Sequence, residues 1–195
     1  SSVMNYWNKR YIEHEIGWDI GYPSLPLKTY IDQLEDQDMN ILIPGAGNAY
    51  EAEYLWKHGF KNTYIIDIAE MPIRKFLERV PDFPVDQALN MNFFDYHNSF
   101  DLILEQTFFC ALEPTEEMRE AYAQKCADLL QDHGTLAGVL FNFPLDTSQK
   151  SPPYGGSKSL YESYLNPYFS RVNIEPCYNS IKPRKNKELF IIAKK

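Results

Sequence analysis

The run Ile41-Leu-Ile-Pro-Gly-Ala-Gly-Asn-Ala-Tyr-Glu-Ala-Glu-Tyr-Leu55 changes its periodicity halfway along. Met39 to Gly45 is a short apolar stretch ending in glycine, the pattern of a strand buried on both faces. From Ala49 to His58 the spacing becomes helical, with Ala49, Ala52, Leu55 and Trp56 near one face and Glu51, Glu53 and Lys57 elsewhere. Asn62 to Ile68 is a second apolar strand, so the segment predicts a β-α-β unit. Gly45 and Gly47 permit a tight turn at the first junction, and the helix start offers free N–H groups to a negatively charged ligand group. Asp67 falls at the end of the second strand, about twenty residues beyond the glycines, where a carboxylate accepts hydrogen bonds from a ribose.

The same alternation continues along the chain. A helix is predicted over Ala69 to Arg79, ending at Pro81, and a third strand over about Val85 to Leu89. Phe100 to Glu105 gives a fourth strand, a helix begins with Pro114 in its first turn and runs to about Gln131, and Gly134 to Phe141 gives a fifth strand. The fold class is therefore α/β, a doubly wound sheet with helices on both faces and its ligand beyond the carboxyl ends of the strands. Near the C-terminus, Arg171 to Pro176 and Glu188 to Lys194 read as strands joined without a helix, hence antiparallel. The first 38 residues precede the core and hold a short helix and an aromatic-rich stretch, a leader suited to lie over the crevice as a lid.

Composition narrows the function. A chain of 195 residues favours one domain, and 14 Tyr, 12 Phe and 3 Trp supply more aromatic surface than a core of this size requires. The formal net charge of -8 opposes general attraction to nucleic acid or anionic lipid. Cys110, Cys126 and Cys177 are too few and too scattered for a disulfide framework, which predicts a reducing, cytoplasmic setting, and no metal site is expected. No apolar run approaches the roughly 20 residues that cross a bilayer, and Ser1 to Arg10 lacks the order of a secretory signal. The third glycine of a dinucleotide fingerprint is missing, because Tyr50 stands there. The turn and Asp67 alone do not separate a dinucleotide from S-adenosyl-L-methionine.

Further residues bring a resemblance. The stretch Ile41 to Leu55 is similar to the first motif of class I S-adenosylmethionine-dependent methyltransferases of the thiopurine S-methyltransferase-like superfamily, which includes halide and thiol methyltransferases. Trp7, Gly17-Trp18-Asp19-x-Gly21, Asp67, Asn92-Phe93-Phe94, Glu105 through Pro114, Phe141-x-Phe143-Pro144 and Pro152-Pro153-Tyr154-Gly155-Gly156 match in the family's order. The resemblance implies a single Rossmann-like domain over residues 1–195, with a mostly parallel sheet, an antiparallel C-terminal strand and residues 1–38 as the lid. It implies that Gly45 and Gly47 approach the methionine part of S-adenosyl-L-methionine, that Asp67 holds the ribose, and that Asn92 and Phe93 contact adenine. Asn92 replaces the family's usual Asp but keeps an acceptor oxygen. Glu105 and Gln106 would follow the fourth strand and face the crevice. Trp7, Tyr11 and Trp18 would surround the sulfonium, whose charge is attracted to aromatic faces; Tyr11 departs from the Trp common in halide and thiol members. Tyr154 would stand beside the methyl acceptor.

The implied activity is transfer of a methyl group to a small soft nucleophile, a thiol, thiopurine or halide, leaving S-adenosyl-L-homocysteine. An ionised thiol or a halide needs no dedicated base, which suits a chain whose His14, His58, His97 and His133 are scattered and read as surface or capping residues. Ser151-Pro-Pro-Tyr154 superficially matches the motif of amino-group methyltransferases, yet that motif follows the fourth strand, where Glu105-Gln-Thr-Phe stands here. Lys182, Arg184, Lys185 and Lys187 are expected on an exposed turn, and Cys110 as a small buried hydrophobe. Two alternatives remain open at this level: an NAD(P)-dependent oxidoreductase and a non-catalytic protein that binds the methyl donor as a sensor or assembly module.

Overall fold

The computed structural model describes residues 21–45, 47 and 49–195. The expectations for Trp7, Tyr11, His14, Trp18 and Asp19 lie outside the described residues. In chain order the elements are α1 (Leu25–Asp32), β1 (Ile41–Pro44), α2 (Tyr50–Lys57), β2 (Thr63–Asp67), α3 (Glu70–Arg79), β3 (Ala88–Asn90), β4 (Phe100–Gln106), α4 (Glu116–Leu129), β5 (Leu130–Phe141), α5 (Lys158–Leu165), β6 (Arg171–Pro176) and β7 (Glu188–Lys194). The strands form one sheet in the order β3-β2-β1-β4-β5-β7-β6. Pairings from β3 to β5 are parallel, and β7 runs antiparallel to both β5 and β6.

Strand alternation splits the core into two layers. Leu42, Ile66 and Ile103 point to the face covered by α4 and α5, where they meet Tyr122, Ala123, Cys126, Tyr161 and Leu165. Ile41, Ile43, Leu102 and Leu104 point the other way, into Leu27 and Ile31 of α1, Leu55 of α2 and Phe76 of α3. Both layers are dry: Leu42 and Ile103 are 0% exposed, as are Ile41 and Leu102. Burying such side chains contributes about 1.5–3 kcal/mol each, so the central strands anchor whatever projects from their ends.

Four expectations are corrected. Residues Val85–Gln87 form a 3₁₀ turn, and the third strand begins at Ala88; Val85 itself is exposed. Pro114 precedes α4 instead of opening it, because Thr115 is the N-cap and its hydroxyl accepts from the Met118 N–H at 3.1 Å. Residues 25–32, expected to belong to a covering leader, form α1 and are built into the helical layer, with Leu27 at 0% and Ile31 at 2% exposure and the Ser24 N–H donating to Glu51 at 3.0 Å. Of the four basic residues near the C-terminus, Lys182, Lys185 and Lys187 are exposed as expected, but Arg184 is buried. Its guanidinium lies 3.5 Å from the Glu188 carboxylate and over the Phe141 ring. Helix α5 had not been anticipated; Ser157 caps it and Tyr161, Tyr164 and Leu165 bury its inner face.

Candidate active site

Strand order reverses between β1 and β4: the chain leaves β1 towards α2 on one face and leaves β4 towards α4 on the other. The two loops that diverge there open a crevice at the strands' carboxyl ends. Gly45 stands at φ +59° and Gly47 at φ +52°, the left-handed region that glycine enters without steric cost. The Gly45 N–H donates to the Ile66 carbonyl at 2.8 Å, which ties the turn to β2. A Cβ added at Gly45 would lie 2.7 Å from Cε1 of Phe108 and closer still to Cδ1, so the Phe108 ring packs directly on the glycine backbone. At Gly47 a Cβ would meet nothing within 4 Å.

Asp67 ends β2 beside this turn. Its carboxylate accepts from the Ala69 N–H at 2.9 Å and from the Gly47 N–H. Desolvation pushes its carboxyl up to about 6, although those two donors pull the other way. Asn90 braces the same strand end by donating to the carbonyls of Asp67 and Ile68, each at 3.1 Å.

Asn92 is exposed, and its side-chain oxygen accepts from the Phe94 N–H at 2.9 Å to cap the turn Phe93–Asp95. Phe93 is 4% exposed and packs edge-on or tilted against Phe94, Phe108 and Tyr122, with ring centroids 5.5–5.6 Å apart. The fold thus brings together Gly45, Gly47, Asp67 and Phe93, with Phe108 bridging the glycine turn and Phe93.

Glu105 does not follow the fourth strand into the crevice. It lies within β4 at 0% exposure, and its carboxylate accepts from the N–H groups of Phe108 at 2.7 Å and Phe109 at 2.9 Å and from the Tyr122 hydroxyl at 2.6 Å. These contacts clamp the loop after β4, so the side chain is an internal brace where a crevice-facing acid had been expected. Burial pushes it up to about 7 despite three donors. Its neighbour Gln106 closes β4 with a buried Oε1 that has no hydrogen-bond partner, an acceptor left open at the strand end.

Tyr154 follows the Pro152-Pro153 cis peptide and is 8% exposed, so its ring does not face solvent. The Tyr154 N–H donates to the Cys110 carbonyl at 2.8 Å and the Gly156 N–H to that of Phe143 at 2.8 Å. Those contacts dock its loop onto the ends of β4 and β5, alongside the crevice. Cys110 is itself 0% exposed and burial pushes its thiol up to about 11, which makes it a packing residue and not a nucleophile. His58, His97 and His133 are exposed, and His58 caps α2 by contacting the Tyr54 carbonyl at 2.7 Å. Among the described residues, no group of His, Cys, Asp or Glu could hold a metal ion, and no helix is long and apolar enough to cross a membrane.

Two residues here escaped sequence reasoning. Phe108 sits in the predicted loop, but its contact with Gly45 joins positions far apart in the chain. Arg119 carries no signal in the sequence that sets it apart from other helical cations, and it is 0% exposed.

The sequence pattern of the family described as Thiopurine S-methyltransferase (TPMT) matches residues 3–191. A relative from Arabidopsis thaliana, "Probable thiol methyltransferase 2", is 28% identical over 188 residues, covering 93% of this chain and 81% of that protein. Thiocyanate methyltransferase 1 from Brassica oleracea is 29% identical over 190 residues, with the same coverage of 93% and 81%. Among solved structures, the 1,6-didemethyltoxoflavin-N1-methyltransferase of Burkholderia thailandensis, crystallised with S-adenosylhomocysteine, superposes with a TM-score of 0.74 at 12% identity, over 99% of this chain and 87% of that one. An S-adenosylmethionine-dependent methyltransferase from Archaeoglobus fulgidus superposes with a TM-score of 0.66 at 16% identity, over 87% and 91% of the two chains. At those identities the structures speak for the fold.

Proposed function

The chain belongs to the thiopurine S-methyltransferase family, and from that premise we propose that its crevice carries methyl transfer from S-adenosylmethionine to a small thiol or thiocyanate-like nucleophile. The family makes it an S-adenosylmethionine-dependent methyltransferase. The names of its plant relatives favour a soft sulfur acceptor, and halides share the same chemistry.

The residues present suit the cofactor. Gly47 leaves open space beside its backbone and Gly45 seats the Phe108 ring at the turn, Asp67 offers an acceptor for ribose hydroxyls, Asn92 stands at the edge of the crevice where an adenine amino group would be met, and Phe93 and Phe108 supply ring faces. Gln106 replaces Glu105 in our assignment, because its orphaned oxygen needs a donor and the cofactor carries an amino group. When bound, S-adenosylmethionine supplies an electrophilic methyl group on a sulfonium centre. The chain's part is to orient the acceptor, through Tyr154, and to exclude water. We assign Trp7, Tyr11 and Trp18 to the cover over the sulfonium. Proton removal is not required of the protein when the acceptor arrives as an anion. The unpaired state of all three cysteines supports a reducing, cytoplasmic setting.

The link between the Gly47 amide and the Asp67 carboxylate at the switch point carries this reading. Calorimetric titration with S-adenosylhomocysteine should saturate, and labelled methyl donor should pass label to bisulfide, thiocyanate or iodide. Saturation by NADH in its place would reject the proposal, and tight cofactor binding without label transfer to any acceptor would favour a sensor.

Asp67 also sets a pH dependence. Only the ionised carboxylate accepts from both ribose hydroxyls. With the cofactor-free group titrating at about 6, affinity should be flat above that value and fall about tenfold per pH unit below it. Asp67→Asn should remove the slope and weaken binding by about 1–3 kcal/mol. A parental slope between pH 5 and 7 that persists in the variant would remove Asp67 from the ribose site.

A further inference from the structure

Arg119 is a poor choice for stability. It is fully buried within α4, and its Nε and Nη1 have no hydrogen-bond partner. Removing a guanidinium from water costs several kcal/mol, and an apolar side chain of similar length often replaces such a group without loss. Its Nη2 donates to the Gly155 carbonyl at 2.8 Å. The guanidinium carbon lies 5.0 Å from the Phe109 ring centroid and 5.9 Å from that of Tyr161. Tyr161 in turn donates to the Phe141 carbonyl at 2.7 Å and touches the Cys110 sulfur at 3.5 Å. Arg119 therefore ties the ends of β4 and β5, through these two rings, to the loop carrying Tyr154. That loop fits closely: a Cβ at Gly155 would lie 2.6 Å from the Pro144 carbonyl oxygen and nearer still to that of Phe143.

We propose that Arg119 is a positioning residue for the methyl acceptor: by holding the Gly155 carbonyl it fixes the loop that places Tyr154 beside the crevice. The inference rests on the assignment of Tyr154 to the acceptor side. A cation spent on one loop carbonyl, with donors left over, is what a fold keeps when the placement of that loop matters more than the free energy of burial. The cofactor side is untouched, because Gly45, Gly47, Asp67 and Gln106 make none of these contacts.

The test compares Arg119→Met, Arg119→Lys and Tyr154→Phe in the full chain, with bisulfide as acceptor. Arg119→Met should lower kcat/KM for bisulfide about tenfold or more, as expected for a displaced positioning group, chiefly by raising the acceptor KM. S-adenosylhomocysteine affinity should stay within about twofold, and Arg119→Lys, which keeps a donor, should recover part of the loss. Hydrogen exchange gives a readout free of activity: protection at the Tyr154 and Gly156 amides should drop in Arg119→Met while the central strands keep theirs. Should Arg119→Met fail to fold, Arg119→Lys carries both measurements. Unchanged acceptor kinetics and unchanged amide protection overturn the inference. If Tyr154→Phe leaves the acceptor KM at the parental value while Arg119→Met raises it, the Tyr154 assignment falls and the role of Arg119 stands.

Discussion

Gly45→Ala should weaken S-adenosylhomocysteine binding about a hundredfold and destabilise the cofactor-free protein by about 2–5 kcal/mol. Two costs add. A left-handed backbone costs a residue with a Cβ about 1–2 kcal/mol, and at φ +59° Gly45 cannot relax without releasing its N–H from Ile66. The new methyl would also occupy the space of the Phe108 ring, and forcing extra volume into a packed site costs about 1–3 kcal/mol. The ring has little freedom to retreat. Glu105 holds the Phe108 and Phe109 amides, and Phe93 and Tyr122 pack at 5.6 Å and 5.5 Å on its other sides. It is therefore displaced towards the crevice, where it competes with the cofactor. Gly47→Ala separates the terms, since it bears the same backbone strain with no neighbour within 4 Å; its stability loss should stay near the strain alone. Adding Phe108→Leu to Gly45→Ala should restore part of the lost stability. Calorimetry and thermal unfolding read all four proteins, and binding by Gly45→Ala within threefold of the parent would place the cofactor away from Phe108.

The parts of this site legible in the sequence are those made by neighbours along the chain. Apolar runs ending in glycine or aspartate place Gly45, Gly47 and Asp67 at strand ends, because burial, turn geometry and strand spacing act over a few residues. Glu105 was misread because strand position says where a backbone goes and not what a carboxylate meets. Its partners are the amides three and four residues on and a hydroxyl on α4. Arg184 fails for a similar reason: a charged residue amid polar sequence reads as exposed until packing against Phe141 brings it inside, and the burial of Arg119 against Phe109 and Tyr161 is equally a product of packing. In α5 the tyrosines carry the helical spacing, a signal weakened by their equal suitability for strands. Thr115 shows the finest scale of error, since a capping hydroxyl outweighed the preference of Pro114 for a first turn.

The brace at Glu105 predicts an unusual dependence of stability on pH. Its folded value, about 7, lies above the ordinary 4.5 because burial disfavours the charge. Between those values the folded protein holds a proton that the unfolded chain has released, so stability should increase as pH falls from about 8 to 5, by up to about 3 kcal/mol. The protonated state has a place for its hydrogen. Tyr122 also contacts Cys126, so its hydroxyl can turn to the sulfur and accept from the carboxylic acid. Asp67 shifts in the same direction. Asp32, Glu53 and Asp146, held below their ordinary values by hydrogen bonds and nearby cations or hydroxyls, lose stability only at lower pH. Glu105→Gln keeps the shape and one acceptor oxygen but cannot titrate, so its stability should change between pH 8 and 5 by about 2–3 kcal/mol less than the parent's. Denaturant unfolding of both cofactor-free proteins at the two pH values measures that difference directly. Parallel pH dependences would mean that Glu105 stays ionised throughout, with its three donors outweighing the cost of burial.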